Sequence, residues 1–122
     1  MLVSVNLMAT VEAAAQARTV VTDLLEQGRR PEMVDTACLL TSELVANAVV
    51  HAGSPVALVV DLDRARLAVE VIDGSPGDPT PTDAAPLDTN GRGLALVDKL
   101  ADSWGVSRLL PGKSVWFALC TS

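Results

Sequence analysis

The chain has 122 residues, 49 % of them hydrophobic, and a formal net charge of −6. That length makes one domain, residues 1–122, with core enough to fold without disulfide or metal staples, and the acidic balance argues against direct binding of DNA or RNA. Aromatic residues are confined to Trp104, Trp116 and Phe117, so the core must be Leu, Val and Ala, and a reading that needs aromatic platforms for single-stranded bases is weakened.

In chain order, residues 2–9 read as a strand with loose alternation. Thr10 is the expected N-cap of a helix over 11–27, with Ala14, Ala17, Val21 and Leu24 or Leu25 on its apolar face. Gly28 is its expected stop. Pro31 suits the first turn of a second helix over 31–52. There Val34, Ala37, Cys38, Thr41, Leu44, Val45 and Ala48 share one face. Strands are expected over 55–62 and 66–73, joined by a turn at Asp63-Arg64-Ala65 into a hairpin. Residues 74–90 are rich in proline and glycine and carry no apolar period, so they read as a long loop, a feature that is often functional. A helix follows from Gly91-Arg92-Gly93 to about Ser103, with Leu94, Val97 and Leu100 as its stripe. Two last strands, 104–110 and 114–120, flank Pro111-Gly112. This β-α-α-β-β-loop-α-β-β order predicts a two-layer α/β sandwich, a mostly antiparallel sheet of about five strands with three helices on one face.

Cys38 and Cys120 belong to no C-x-x-C pair and read as reduced thiols. With a single histidine, His51, they make a poor metal set. The N-terminus lacks the make-up of a secretory leader, and no run approaches the ~18 apolar residues of a membrane span. The expected compartment is the cytoplasm, with no membrane partner.

Three stretches carry chemistry. Glu43, Asn47 and His51 are four residues apart, so they line one side of the second helix at the border of its apolar face. Either that stripe is a solvated edge or it lines a cleft. In a cleft, Glu43 can polarise an attacking hydroxyl or water, and Asn47 can offer its carbonyl oxygen to a magnesium ion, which takes few protein oxygens. His51, at the helix end, reads as a cap or as lining. Asp73 ends an apolar strand. It either starts a turn with Gly74 or accepts a hydrogen bond from an amino group such as that of adenine, with Gly77 letting backbone approach a flat ring. Gly91-Arg92-Gly93 opens a helix whose free N–H groups suit phosphates, and Arg92 can add a charge-assisted contact. Neither a Walker A nor a G-x-G-x-x-G pattern is present.

Together these stretches resemble the GHKL ATPase superfamily, whose nucleotide site is the Bergerat fold, and within it the short anti-sigma-factor serine/threonine kinases of Gram-positive bacteria and their actinobacterial relatives. The resemblance covers nearly the whole chain. Glu43-Leu44-Val45-Ala46-Asn47-Ala48-Val49-Val50-His51-Ala52 looks like the N box. Asp73-Gly74-Ser75-Pro76-Gly77 looks like the first glycine box, with Ser75 where glycine is usual. Gly91-Arg92-Gly93-Leu94-Ala95-Leu96-Val97 looks like the second, and Lys113-Ser114-Val115-Trp116-Phe117 like the closing strand. The resemblance implies ATP and Mg2+ as cofactors, Glu43 as general base, Asn47 as magnesium ligand and Asp73 as reader of adenine. It implies an ATP lid over 78–90, phosphate contacts from Gly91 to Leu94, and the hydroxyl of Ser114 holding adenine. Arg18 falls where the family meets a partner protein. The implied function is phosphorylation of a small antagonist protein coupled to sequestration of a sigma factor or similar regulator, with a homodimer common among the relatives. A nucleotide-dependent binding module without kinase activity is the alternative. The catalytic domain of a histidine kinase fits less well, because no phosphoacceptor histidine sits on a dimerisation helix.

Overall fold

The structure, a computed structural model, describes residues 1–52, 55–73, 92–108 and 112–120, of which 51–52, 92–94 and 108 are described by their backbone only. In chain order the elements are β1 (Leu2–Leu7), α1 (Ala13–Gln27), a 3-10 turn (Pro31–Met33), α2 (Val34–Ala52), β2 (Val56–Leu62), β3 (Arg66–Asp73), α3 (Arg92–Leu100), β4 (Ser103–Arg108) and β5 (Lys113–Cys120). The five strands form one sheet in the order β1-β2-β3-β5-β4. Every neighbouring pair is antiparallel. The expected α/β sandwich is therefore the fold observed.

Strict alternation in the central strands makes the sheet two-faced. Val56, Leu58, Val60 and Leu62 of β2, Leu67, Val69 and Val71 of β3, and Val115, Phe117 and Leu119 of β5 are buried in one core cluster. The helices cover this face: α1 packs on α2, β1 and β2, while α2 lies across β2, β3 and β5. Each fully buried Val or Leu contributes roughly 1.5–3 kcal/mol of transfer free energy. Aromatic bulk in the cluster is limited to Phe117, with partly buried Trp104 packed against it.

Helix ends depart from the sequence expectation. Thr10 is not the cap of α1. The helix opens at Ala13, with Glu12 in the cap position and no side-chain cap bond, and Thr10 supplies only its carbonyl, 3.1 Å from the Ala13 nitrogen. Gly28 is not a left-handed stop either: its φ is −83°, and Arg29, one place on, takes φ 60°. Glycine at 28 makes room instead. A Cβ there would collide with the Leu62 side chain and lie 3.0 Å from Met1 Cε. Pro31 opens a 3-10 turn rather than α-helix. The third helix ends at Leu100, which is 41 % exposed, so its stripe runs through Val97 and the partly buried Leu96.

Residues Pro31–Val50 do form a stretch long and apolar enough to cross a membrane, with a mean hydropathy of 1.4. This corrects the expectation of no such run. Ala37, Leu40, Thr41, Leu44, Val45 and Ala48 of that stretch are buried in the domain core, which explains its apolarity in a different way. Cys38 is half-buried, Cys120 is exposed, and both are free thiols.

Candidate functional site

Asp73 is the last residue of β3. Because it follows Leu67, Val69 and Val71 in steps of two, its side chain falls on the helix-covered face, and it is 5 % exposed. A buried carboxylate at the end of an apolar row is costly unless it has polar neighbours. They come from two directions. Leu44, Asn47 and Ala48 of α2, Val71 and Asp73 of β3, and Lys113 and Val115 of β5 line one small cleft. Lys113 sits directly opposite Asp73 in the β3–β5 register.

Asn47 is half-buried, and its Nδ2 is buried with no hydrogen-bond partner among the described residues. Leaving such a group unpaired costs about 1–3 kcal/mol. The orphaned carboxamide suits a polar ligand in the cleft. No cluster of three His, Cys, Asp or Glu side chains occurs among the described residues. An ion delivered with a triphosphate does not need one, because phosphate and water supply most of its shell. The orphaned Nδ2 is a donor and calls for an acceptor atom of a ligand; a magnesium ion would take the other atom of the carboxamide, Oδ1.

The other sequence candidates are placed as follows. Glu43 is half-exposed, one turn before Asn47 on α2, and is not among the cleft-lining residues. The backbone of His51 lies in the last turn of α2, and Arg92, Gly93 and Leu94 form the first turn of α3, but their side chains lie outside the described residues. Gly77, Gly91, Ser75 and the lid segment 78–90 lie outside them entirely. Arg18 is exposed on α1, and its Nη1 donates to Ser42 Oγ at 2.9 Å. Beside it, Thr22 Oγ1 and Cys38 Sγ are hydrogen-bonded at 3.2 Å.

Ser114 is a correction. It alternates with Lys113 and Val115, so its side chain lies on the opposite face of the sheet from Asp73. There it is 2 % exposed, and its Oγ donates to Glu70 Oε2. A hydroxyl on that face cannot share a ligand with Asp73 across the sheet. Lys113, its neighbour on β5, lines the cleft instead. The signal was present in the sequence: stepping back by two from Leu119, Phe117 and Val115 reaches Lys113.

The outer face around Ser114 is ordered by Trp116. Its indole lies over Gly105, where an added Cβ would come within 2.8 Å of Nε1. Trp104, on β4, donates from Nε1 to Asp98 Oδ1 of α3 at 2.9 Å, and Asp102 Oδ2 accepts from the Cys120 N–H at 2.6 Å. These bonds fix α3 and the β4–β5 pair relative to each other.

A family model described as histidine kinase-like ATPase domain matches residues 7–119. The match runs from the end of β1 to the end of β5 and so takes in every residue of the cleft. A search of curated proteins finds no match.

Proposed function

The chain belongs to the histidine kinase-like ATPase domain family, and from that premise we propose that it is an ATP-dependent protein serine/threonine kinase of the anti-sigma-factor type. Membership carries ATP binding. The antagonist protein as substrate, and a sigma factor or similar regulator as the held partner, are the proposal. The observation that supports it best is the meeting of Asn47 and Asp73 in one cleft between α2 and the sheet.

In this reading Asp73 accepts a hydrogen bond from the adenine amine at the floor of the cleft. Asn47 would hold the magnesium ion through its Oδ1, and the ion would neutralise charge on the transferring phosphate. The first turn of α3 offers its backbone N–H groups to the phosphates, and Arg92 is the residue proposed to add a charge-assisted contact. Glu43 is half-exposed, so an incoming serine hydroxyl can reach it, and it accepts that proton. Arg18, exposed on α1, belongs to the partner-binding surface. The reaction takes place in the cytoplasm.

Thermal unfolding with and without Mg2+ and ATP tests the nucleotide site. At 100 times the dissociation constant, bound ATP adds about 2.7 kcal/mol of stability. Labelled ATP with candidate antagonists tests the transfer. Glu43→Ala should keep ATP binding and lose roughly 10²–10⁴-fold in phosphotransfer; transfer at the parental rate would remove Glu43 from the mechanism. Ser75 in place of the glycine usual in the first glycine box favours one second reading, an ATP-dependent binding module without transfer. Partner capture with no label on the antagonist would support it.

A further inference from the structure

We propose that Lys113 is a second reader of the nucleotide base, donating from its ammonium to a ring nitrogen of adenine while Asp73 accepts from the exocyclic amine. The inference rests on the ATP-binding reading above and deepens it. Asp73 and Lys113 are direct cross-strand partners in the β3–β5 register. Residues so paired in an antiparallel ladder have Cβ atoms about 4.5–5.5 Å apart. Both lie on the helix-facing side, as the burial of their neighbours Val71 and Val115 requires. Both also line the cleft that holds Asn47.

The chemistry of the pair goes beyond that of Asp73. A carboxylate accepts and never donates, so by itself it selects any base with an amino group. A lysine ammonium carries three donors and no acceptor. Set side by side, the two groups match an edge on which an N–H donor neighbours a ring-nitrogen acceptor. Adenine presents that edge, with its amine flanked by N1 and N7. The lysine stem also adds to the apolar part of the cleft, which Leu44, Ala48, Val71 and Val115 form.

Calorimetric titration of the full chain with adenosine, AMP and ATP tests the inference, with Lys113→Met keeping the stem and removing the charge. Lys113→Met should weaken adenosine, AMP and ATP alike, by about tenfold for one charge-assisted bond. Lys113→Arg, which keeps a donor, should recover most of the loss. Replacing the contacted nitrogen by carbon, in 1-deaza- or 7-deazaadenosine, should weaken binding to the parent but not to Lys113→Met. A loss confined to ATP would make Lys113 a phosphate contact and overturn the proposal, as would unchanged binding of all three ligands. If Lys113→Met does not fold, the deaza series on the parent decides: full affinity for both analogues rejects a lysine–ring nitrogen bond. Failure of the parent to bind any adenine ligand refutes the ATP reading itself, which is a different result.

Discussion

Ser114→Ala separates two roles for one hydroxyl. If Ser114 served adenine, its loss would weaken ATP and leave the fold nearly intact. The structure predicts the reverse. The hydroxyl is 2 % exposed and donates to Glu70 across the outer face of the sheet. A hydrogen bond to a charged acceptor contributes about 1.5–3 kcal/mol. Glu70 is half-exposed, so water can replace the lost donor and the lower end applies, roughly 1.5 kcal/mol. With about 2.1 cal/mol/K of unfolding entropy per residue, a chain of this length loses about 4 °C of Tm per kcal/mol, or roughly 6 °C here. Urea unfolding followed by circular dichroism should show a lower midpoint at unchanged slope. ATP affinity should stay within about twofold, because the removed group lies on the far side of the sheet. Adding the change to a Glu70→Gln background should cost less than in the parent, since the charged acceptor is already gone. A variant with parental stability and a much weaker ATP complex would refute the face assignment, and with it the claim that Lys113 lines the cleft instead.

Two further outcomes follow from buried or turn-forming groups. Thr41 is fully buried and its Oγ1 has no hydrogen-bond partner among the described residues, so Thr41→Val, equal in shape, should stabilise the protein by about 1–2 kcal/mol; a lowered urea midpoint would mean that the hydroxyl is bonded. Asp63 Oδ1 accepts from the N–H groups of Arg66 at 2.9 Å and Ala65 at 2.7 Å, and these bonds, that of Arg66 foremost, hold its carboxyl below the usual carboxylate range. Because the folded pKa lies below the unfolded one, the turn's contribution is present above about pH 4 and fades as pH falls through the folded value. An NMR titration of Asp63 with an ordinary midpoint would contradict this, and Asp63→Asn should flatten part of the acid limb of the stability profile.

How much was legible in the sequence depends on the range of the interaction that decides each feature. The β3 strand was readable to the residue, because Leu67, Val69, Val71 and Asp73 alternate with partly exposed neighbours and Asp63 marks the turn before them. The N-terminus of α1 was not, since capping signals such as Thr10 compete with the path by which the chain leaves β1. Gly28 was read for its conformational freedom, yet the constraint on it comes from Leu62, 34 positions away in sequence and adjacent in space. The meeting of Asn47 and Asp73 in one cleft needed α2 to cross the end of β3, which periodicity does not specify. Ser114 shows the limit of reading a motif by residue type. The hydroxyl matched the pattern, whereas strand parity decided which side chain faces the cleft.

Both indoles of this protein stand on neighbouring strands, Trp104 on β4 and Trp116 on β5, and the chain has no tyrosine. Its intrinsic fluorescence is thus a local observable, reporting one flank of the sheet and nothing of β1 on the other. An emission signal that melts together with the far-ultraviolet ellipticity would mark unfolding as a single concerted event. Separate midpoints would mean that the β4–β5 flank releases on its own.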